Sequence, residues 1–273
     1  MRSRIIIPAL ALGGAVVLGT TLLVNADDSD ASPTATATST QTRPPGAPVD
    51  DAAQSAREKK QEKKNVTAAT QGSAQENSAA ARQSQQSLAD AGLSIPDGWR
   101  PVQVREEKHE DRAVTVVRYE QGTERTIGGE HITSVVDGEG TLLGYTRMTL
   151  DAAGSSVPSS STAEKAAFDW MERFVPEHSA GLSVQWVDQH DEEVRDESGA
   201  KHTISGAKVK SHHENGLYTW VIVDDEGEVI SYERDIRWDG SAGRRATQMW
   251  LHDKWIAARE GSGPQPESPY ARA

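Results

Sequence analysis

A duplicated β-hairpin is the sequence feature that most restricts how this chain can fold. Segments 129–147 and 216–234 align without a gap at a spacing of 87 residues. Seven aligned pairs are identical: Gly129/Gly216, Val136/Val223, Asp137/Asp224, Glu139/Glu226, Gly140/Gly227, Tyr145/Tyr232 and Arg147/Arg234. In each copy an Asp-x-Glu-Gly turn lies between two runs rich in β-branched and aromatic residues, and its glycine tolerates the positive φ that a short hairpin requires. The chain therefore contains two copies of one antiparallel β unit.

Eight strands are predicted around these hairpins, because large apolar or β-branched side chains alternate with polar ones. They lie at 101–106, 112–120, 129–137, 141–149, 182–195, 202–213, 217–224 and 228–237. Two helices are predicted at 162–175 and 243–259, each after a group of four strands. We therefore expect an α+β fold of two tandem units, each an antiparallel sheet of about four strands followed by one packed helix, after a disordered N-terminal tether. The units would be residues 95–176 and 177–261, and the repeat leaves open whether they share one sheet or form two lobes.

Residues 1–26 have the pattern of a bacterial export signal. Arg2 and Arg4 precede an uncharged apolar run at 5–24, and small residues precede a cleavage position after Ala26. The run, about 20 residues long, is also long enough to span a bilayer as an uncleaved anchor. In both cases the two arginines stay on the cytoplasmic side. We therefore expect the rest of the chain outside the membrane, either secreted or tethered to its outer face.

Residues 27–94 contain few large apolar side chains and are predicted to be a disordered, low-complexity linker. The threonines, serines and prolines of 31–48 favour an extended chain, and residues 51–90 have a helix-forming composition without an apolar stripe. Such a segment buries too little surface to offset the entropy lost on folding. Its basic cluster at 57–64 is either a solvated charge run or a contact for an anionic envelope polymer. Residues 262–273 are expected to be a flexible tail.

Composition and motifs exclude several function classes. The chain has no cysteine, which excludes disulfides, cysteine-ligated zinc, iron–sulfur clusters and a cysteine nucleophile. Its net charge of −12 opposes general binding to nucleic-acid phosphates. The sequence has no His-Glu-x-x-His, no Gly-x-Ser-x-Gly and no phosphate-binding glycine loop before a helix. We therefore predict a non-catalytic protein without a cofactor or a resident metal.

Three weaker patterns leave other chemistry open. A metal site that joins His202 and His212 is an alternative to two solvated turn histidines. Calcium binding by the Asp-x-Glu-Gly turns is an alternative to a purely structural hairpin, although each turn has few ligands. The acidic segment 188–197 allows a pair of catalytic carboxylates, but a solvated acidic loop accounts for it more simply.

Segments 119–145 and 216–232 resemble the hairpins of PepSY and related propeptide domains, and the second has their strand, Asp-x-x-Gly, strand core. Such domains occur in the pro-regions of thermolysin-like metallopeptidases and in secreted proteins of Gram-positive bacteria. The resemblance implies a small α+β domain that restrains or escorts a peptidase, or that binds partners in the cell envelope. Because the sequence has no peptidase motif, it implies action on a separate partner.

The candidate binding residues are Trp220, Tyr218, Tyr145 and Tyr232. Trp220 aligns with the small Thr133, so the two hairpins present different surfaces, and an exposed Trp220 would mark a contact for a partner. The leading hypothesis is an exported binding module for a protein or peptide partner outside the membrane, with a secreted peptidase as the partner that the resemblance implies. The alternatives are a membrane-anchored structural or sensor protein of the envelope, and a hydrolase without a recognisable motif.

Overall fold

The structure, a computed structural model, describes residues 77–273. The predicted export signal at 1–26 and the linker residues 27–76 lie outside this part. The strands of one large antiparallel sheet are β1 (Arg100–His109), β2 (Arg112–Glu120), β3 (His131–Asp137), β4 (Leu142–Met148), β5 (Leu182–Arg195), β6 (Lys201–His213), β7 (Tyr218–Val223) and β8 (Val229–Ile236). Two short strands, β9 (Trp238–Asp239) and β10 (Arg244–Arg245), form a second sheet. The helices are α1 (77–90), α2 (Ser160–Phe174), α3 (Pro176–Ala180) and α4 (Asp253–Arg259), with a 3-10 turn at Leu150–Ala152.

All eight long strands belong to one sheet, in the order β1-β2-β3-β4-β8-β7-β6-β5. The two copies of the hairpin, β3-β4 and β7-β8, are joined through β4 and β8 at its centre, where Tyr145 pairs with Tyr232. The expected fold of two tandem units, each a sheet followed by a helix, is therefore wrong. Each hairpin alone would expose the hydrogen-bonding edge of a central strand, and the antiparallel pairing of β4 with β8 covers both edges at once.

The duplicated turns have the same hydrogen bonds in both copies. Asp137 Oδ1 accepts from the backbone N–H groups two and four residues later, and Asp224 Oδ1 does the same at 3.1 and 2.8 Å. Gly140 and Gly227 close the turns with φ angles of +88° and +82°. These values lie in the region that only glycine adopts at little cost, which explains why both glycines recur in the repeat.

Helix α1 packs on one face of the sheet through small side chains. Ala81, Ser84 and Leu88 are buried there. The hydroxyl of Ser84 lies 2.6 Å from that of Ser134 on β3 and accepts a hydrogen bond from Tyr119 Oη at 2.8 Å. Alanine and serine can line a buried helix face when the backbone approaches closely and the hydroxyls are paired. The described part of the predicted linker is therefore an integral part of the fold.

Helix α2 lies beside α1 on the same face. Trp170 Nε1 on α2 donates a hydrogen bond to the Ala91 carbonyl at 2.9 Å, and its ring contacts Tyr232 edge to face at 4.9 Å. Gly92, just after α1, has φ +68° and faces the Phe174 ring, which a Cβ would approach to 2.3 Å. The two helices and the helix-facing residues of six strands form the largest apolar cluster, from β2 to β4 and from β6 to β8.

The order of helices and strands also differs from the expectation. One long helix precedes each group of four strands, α1 before β1–β4 and α2 before β5–β8. The helix predicted at 243–259 comprises only Asp253–Arg259, because residues 244–245 form β10 and residues 249–251 form a turn. None of the helices in 77–273 is long and apolar enough to cross a membrane.

The C-terminal residues cover the opposite face of the sheet. Trp250 and Trp255 meet edge to face at 4.9 Å within a second apolar cluster, against residues of β2, β3 and β4. Ala271 is only 1% exposed, and its N–H points at Met249 Sδ. The segment 262–273, for which a flexible tail is predicted, thus contacts the domain through Ala271.

The sheet is curved so that this second face is its concave side. At the end of β5, the outermost strand, Arg195 N donates to the Gly128 carbonyl at 2.8 Å, in the loop before β3. An edge strand can meet that loop only if the intervening strands curve strongly, as right-handed sheet twist allows. The concave side of the curl, covered by residues 262–273, contains a cavity.

Candidate functional site

The concave face and the C-terminal segment enclose a cavity of 310 Å³. One wall is apolar and comprises Met148, Ile204, Trp220, Ile222, Ile230 and Leu251. Pro264, Pro266 and Tyr270 of the C-terminal segment lie opposite. Gly206 lies in the same wall, where a Cβ would come within 2.8 Å of Ile222 Cγ2, so glycine lets β6 approach β7 and β8 closely.

Lys208 carries a positive charge into this apolar surrounding. Its Nζ lies 4.0 Å from the centre of the Trp220 ring, a cation–π contact, and both residues line the cavity. Within residues 77–273 this ammonium has neither a hydrogen bond nor an ion pair. Burial lowers the pKa of Lys208 to about 8, an effect that the charge of Glu233 partly offsets. Arg195 and Lys254, which also line the cavity, are exposed to solvent.

Glu233 on β8 is bound by three neighbouring side chains. Its Oε1 accepts from Trp220 Nε1 and His252 Nε2, both at 3.0 Å, and its Oε2 accepts from Arg245 at 2.5 Å. Burial alone would raise the pKa of Glu233, but the charges of Arg245 and His252 hold it well below the ordinary value. This carboxylate is therefore ionised and fully engaged by its neighbours.

His252 links Glu233 to Glu192 on the outermost strand. Its Nδ1 lies 3.6 Å from Glu192 Oε1, which also contacts His190 Nε2 at 3.2 Å. Burial alone would lower the pKa of His252, but the two carboxylates raise it to about 9. Burial alone would raise the pKa of Glu192, and the hydrogen bonds from the two histidines lower it well below its usual range. The resulting charged chain connects β5, β8 and the residue before α4 along one side of the cavity.

A second charged cluster lies beside the cavity, at the part lined by Gly128, His131 and Asp253. Asp253, the first residue of α4, binds Arg118 on β2 at 2.6 and 3.1 Å and accepts from the Gly128 N–H at 2.5 Å. Glu120 accepts from the same guanidinium at 2.5 Å. Nearby His131 is buried, and that burial lowers its pKa. The cluster ties α4 to the loop that meets β5, so it holds the curl of the sheet closed.

Of the four predicted binding residues, only Trp220 lines the cavity. Trp220 is 5% exposed and belongs to the wall, not to an open surface. Tyr145 and Tyr232 are buried on the opposite, helix-covered face, where they pack in the core. Tyr218 is partly exposed at the start of β7, where its ring lies 4.5 Å from Lys210 Nζ.

The sequence analysis did not identify Lys208, Glu233 and His252. One signal was present: Lys208 stands between the apolar Ala207 and Val209 in a strand, where period-two alternation places it on the face opposite to theirs. Neither the strand pattern nor the repeat reveals that His252 folds back onto that face. His252 follows a turn, where side chains have no regular spacing that would predict their direction.

The other predicted sites have structural partners. His202 pairs with Asp196 at 2.8 Å near the start of β6, and His212 stacks edge to face on Tyr218 near its end, so these histidines do not meet. No group of three metal-ligating side chains occurs among residues 77–273. Asp137 and Asp224 bind backbone N–H groups of their own turns.

No protein-family model matches this chain, and no curated protein is significantly similar to it.

Proposed function

We propose that this protein is a non-catalytic binding module outside the cytoplasmic membrane, and that the cavity on the concave face is its binding site. The observation that carries the proposal is one cavity that combines an apolar wall with Lys208, whose ammonium has no ion pair among residues 77–273. Sites for small molecules are typically of this kind, largely apolar with a few polar groups that fix orientation. A volume of 310 Å³ suits a ligand of roughly ten to twenty non-hydrogen atoms.

The chain of charges formed by Glu192, Glu233 and His252 supports binding over catalysis. Lys208, whose pKa of about 8 does lie near neutrality, is assigned to contact with the ligand. Glu233 and His252 are hydrogen-bonded to each other, and Glu192 is held by two histidines. A general acid or base needs a pKa near the working pH and access to the substrate. The shifts of these groups run the other way, since both carboxylates are held ionised and His252 is held protonated at neutral pH. We therefore assign the chain of charges to the architecture of the site. The export pattern at the N-terminus supports a role outside the membrane.

Binding of a neutral fluorescent probe to the purified protein tests this proposal. N-phenyl-1-naphthylamine is apolar and small enough for the cavity, and we expect one saturable site per chain. Thr146 lines the cavity, so Thr146→Phe should fill it and abolish the signal. Thr115→Phe, on the part of β2 that is partly exposed, is the matched control and should bind as the wild type does. The absence of a saturable site, or unchanged binding by a folded Thr146→Phe variant, would refute the proposal.

A peptidase partner is the second candidate, and one observation favours it. Strand β5 is a 14-residue strand at one edge of the sheet. Among residues 77–273, its Trp186 is the one large hydrophobic side chain that is exposed, at 44%. An extended peptide can add to such an edge by main-chain hydrogen bonds. Residual activity of a thermolysin-like metallopeptidase on mixing with the protein tests this candidate. Inhibition that Trp186→Ala weakens would support it, and unchanged proteolysis would eliminate it for that class of peptidase.

A further inference from the structure

We propose that the cavity binds a small apolar monocarboxylate, and that the carboxylate of the ligand accepts a hydrogen bond from Lys208 Nζ. This inference rests on the proposed function, since it names the ligand class of the same site. The shared chemistry has two sources, a short acyl chain and the C-terminal end of an apolar peptide. The experiment below separates them.

Lys208 has no counter-ion in contact with it among the described residues. A cation removed from water is strongly disfavoured unless an anion or hydrogen-bond acceptor reaches it. In the described part of the chain, the Lys208 ammonium contacts the face of the Trp220 ring. An aromatic ring compensates only a fraction of the hydration that the ammonium loses. Three N–H donors of the ammonium are thus available to an incoming acceptor.

The four acidic residues that line the cavity already have partners, Glu193 through an exposed ion pair with Lys201 at 3.0 Å. Glu233 receives hydrogen bonds from three side chains, and Glu192 is held by two histidines. Asp253 is bound by Arg118 and by a backbone N–H. A cationic ligand would have to displace these partners, whereas an anionic ligand completes an unfilled contact. The electrostatics of the site therefore select against ammonium ligands and for one carboxylate.

The apolar wall of the cavity determines what the uncharged part of the ligand can be. The wall beside Lys208 is formed by branched aliphatic side chains, among them Ile204, Ile222 and Ile230, and by Met148. These groups offer dispersion contacts and no hydrogen bonds, so they match a hydrocarbon body and oppose a polyhydroxylated one. A second carboxylate placed against these side chains would meet no hydrogen-bond donor, since the other two cations that line the cavity, Arg195 and Lys254, are exposed to solvent. The site thus suits an acid with one charged end.

Titration calorimetry with matched probes tests the inference. The probes are octanoate, 1-octanol and octylamine, which share one chain length, together with N-acetyl-Leu-Leu and its C-terminal amide. We expect octanoate to bind roughly ten- to a hundredfold more tightly than octanol, the range for a hydrogen bond to a charged group. Lys208→Met should reduce this ratio to about one, because it keeps the apolar stem and removes the charge. Lys210→Met is the control, since Lys210 lies on the same face of β6 among Trp186, Tyr218 and Trp238 and does not line the cavity.

The probes separate failure of this inference from failure of the proposed function. Equal binding of octanoate and octanol would leave the cavity as a binding site and overturn the carboxylate inference. Tightest binding of octylamine would overturn it as well. If none of the five probes binds and N-phenyl-1-naphthylamine fails too, the proposed function itself is wrong. A preference for N-acetyl-Leu-Leu over both its amide and octanoate assigns the site to peptide ends, and the reverse order assigns it to acyl chains. Thermal melting shows whether the Lys208→Met variant is folded.

Discussion

Tyr145 and Tyr232 occupy equivalent positions of the sequence repeat and are direct partners across the β4–β8 junction. Equivalent residues of two antiparallel strands can pair with each other only if an approximate twofold relation passes between the strands. Both side chains are buried on the helix-covered face. The duplicated unit is thus joined to its copy through the same residue on each side, and one continuous core results.

Removal of a ring at this junction should destabilise the whole domain. We expect Tyr232→Ala to reduce the free energy of unfolding by about 3–5 kcal/mol, because a large buried ring is replaced by a cavity. Chemical denaturation measures this value, and Tyr218→Ala, at a partly exposed ring, should cost less than about 1.5 kcal/mol. Both variants should unfold in one transition. Two separate transitions would show that the halves of the sheet do not share a cooperative core.

Helix α1 should contribute to stability although its sequence is rich in alanine, glutamine and serine. Leu88 is 1% exposed against the sheet, and we expect Leu88→Ala to cost about 2–4 kcal/mol of unfolding free energy. The exposed Ala89 on the same helix gives the control variant Ala89→Ser, with an expected change within about 0.5 kcal/mol. Equal stability of both variants in urea would mean that α1 does not pack as described.

Acidification should begin to destabilise the protein at pH values well above the pKa of ordinary carboxyl groups. Burial lowers the pKa of His178 to about 4, and its Nε2 lies 2.8 Å from Thr219 Oγ1. The unfolded chain, with a pKa near 6.5, therefore binds more protons between pH 6.5 and 4, so stability falls as the pH falls through this window, by as much as about 3 kcal/mol. Burial of His109 and His131 acts in the same direction. His178→Gln should reduce the loss, and an unchanged slope in pH-dependent denaturation would argue against a buried neutral His178.

Alkaline pH should weaken the charged chain at His252. Its folded pKa of about 9 lies above the unfolded value near 6.5, so its contribution is complete below pH 6.5 and is lost as the pH rises toward 9. Lys208 has the opposite sign, because its pKa of about 8 lies below the unfolded value near 10.5 and stability rises with pH between these values. We therefore expect the unfolding free energy to fall from pH 6.5 to 8 and to level off between pH 8 and 9. In Lys208→Met the fall should continue to pH 9, and identical profiles would refute the assignment.

Neutralisation of Lys208 should stabilise the ligand-free protein. The partly buried lysine loses hydration, forms no ion pair within residues 77–273, and is only partly compensated by the charge of Glu233, so Lys208→Met should raise the unfolding free energy by about 1–3 kcal/mol at neutral pH. Lost cation–π contact with Trp220 offsets part of this gain. Differential scanning calorimetry measures the change in melting temperature. A lower melting temperature would mean that the ammonium has a stabilising partner, which would also weaken the case for an anionic ligand.

The strands were predictable because their pattern is local. Alternation of side chains and the recurring Asp-x-Glu-Gly turns placed all eight long strands within three residues of their observed ends. Helix α1 was not predicted because its buried stripe consists, apart from Leu88, of alanine and serine, which carry little hydrophobic signal. Helix 243–259 was overestimated because apolar spacing there belongs to a turn and a short strand that pack Met249 and Trp250 by tertiary contact.

The amino-acid sequence by itself determined the duplicated hairpin, its turn chemistry and the exclusion of cysteine-based and phosphate-loop chemistry. Only the tertiary structure decided that the two copies share one sheet through Tyr145 and Tyr232, because strand edges carry the same backbone groups whatever their side chains are. It also decided where the cavity lies. The curl of the sheet and the return of the C-terminal segment bring Lys208 and His252 into one wall, although no local pattern connects residues so far apart in the chain.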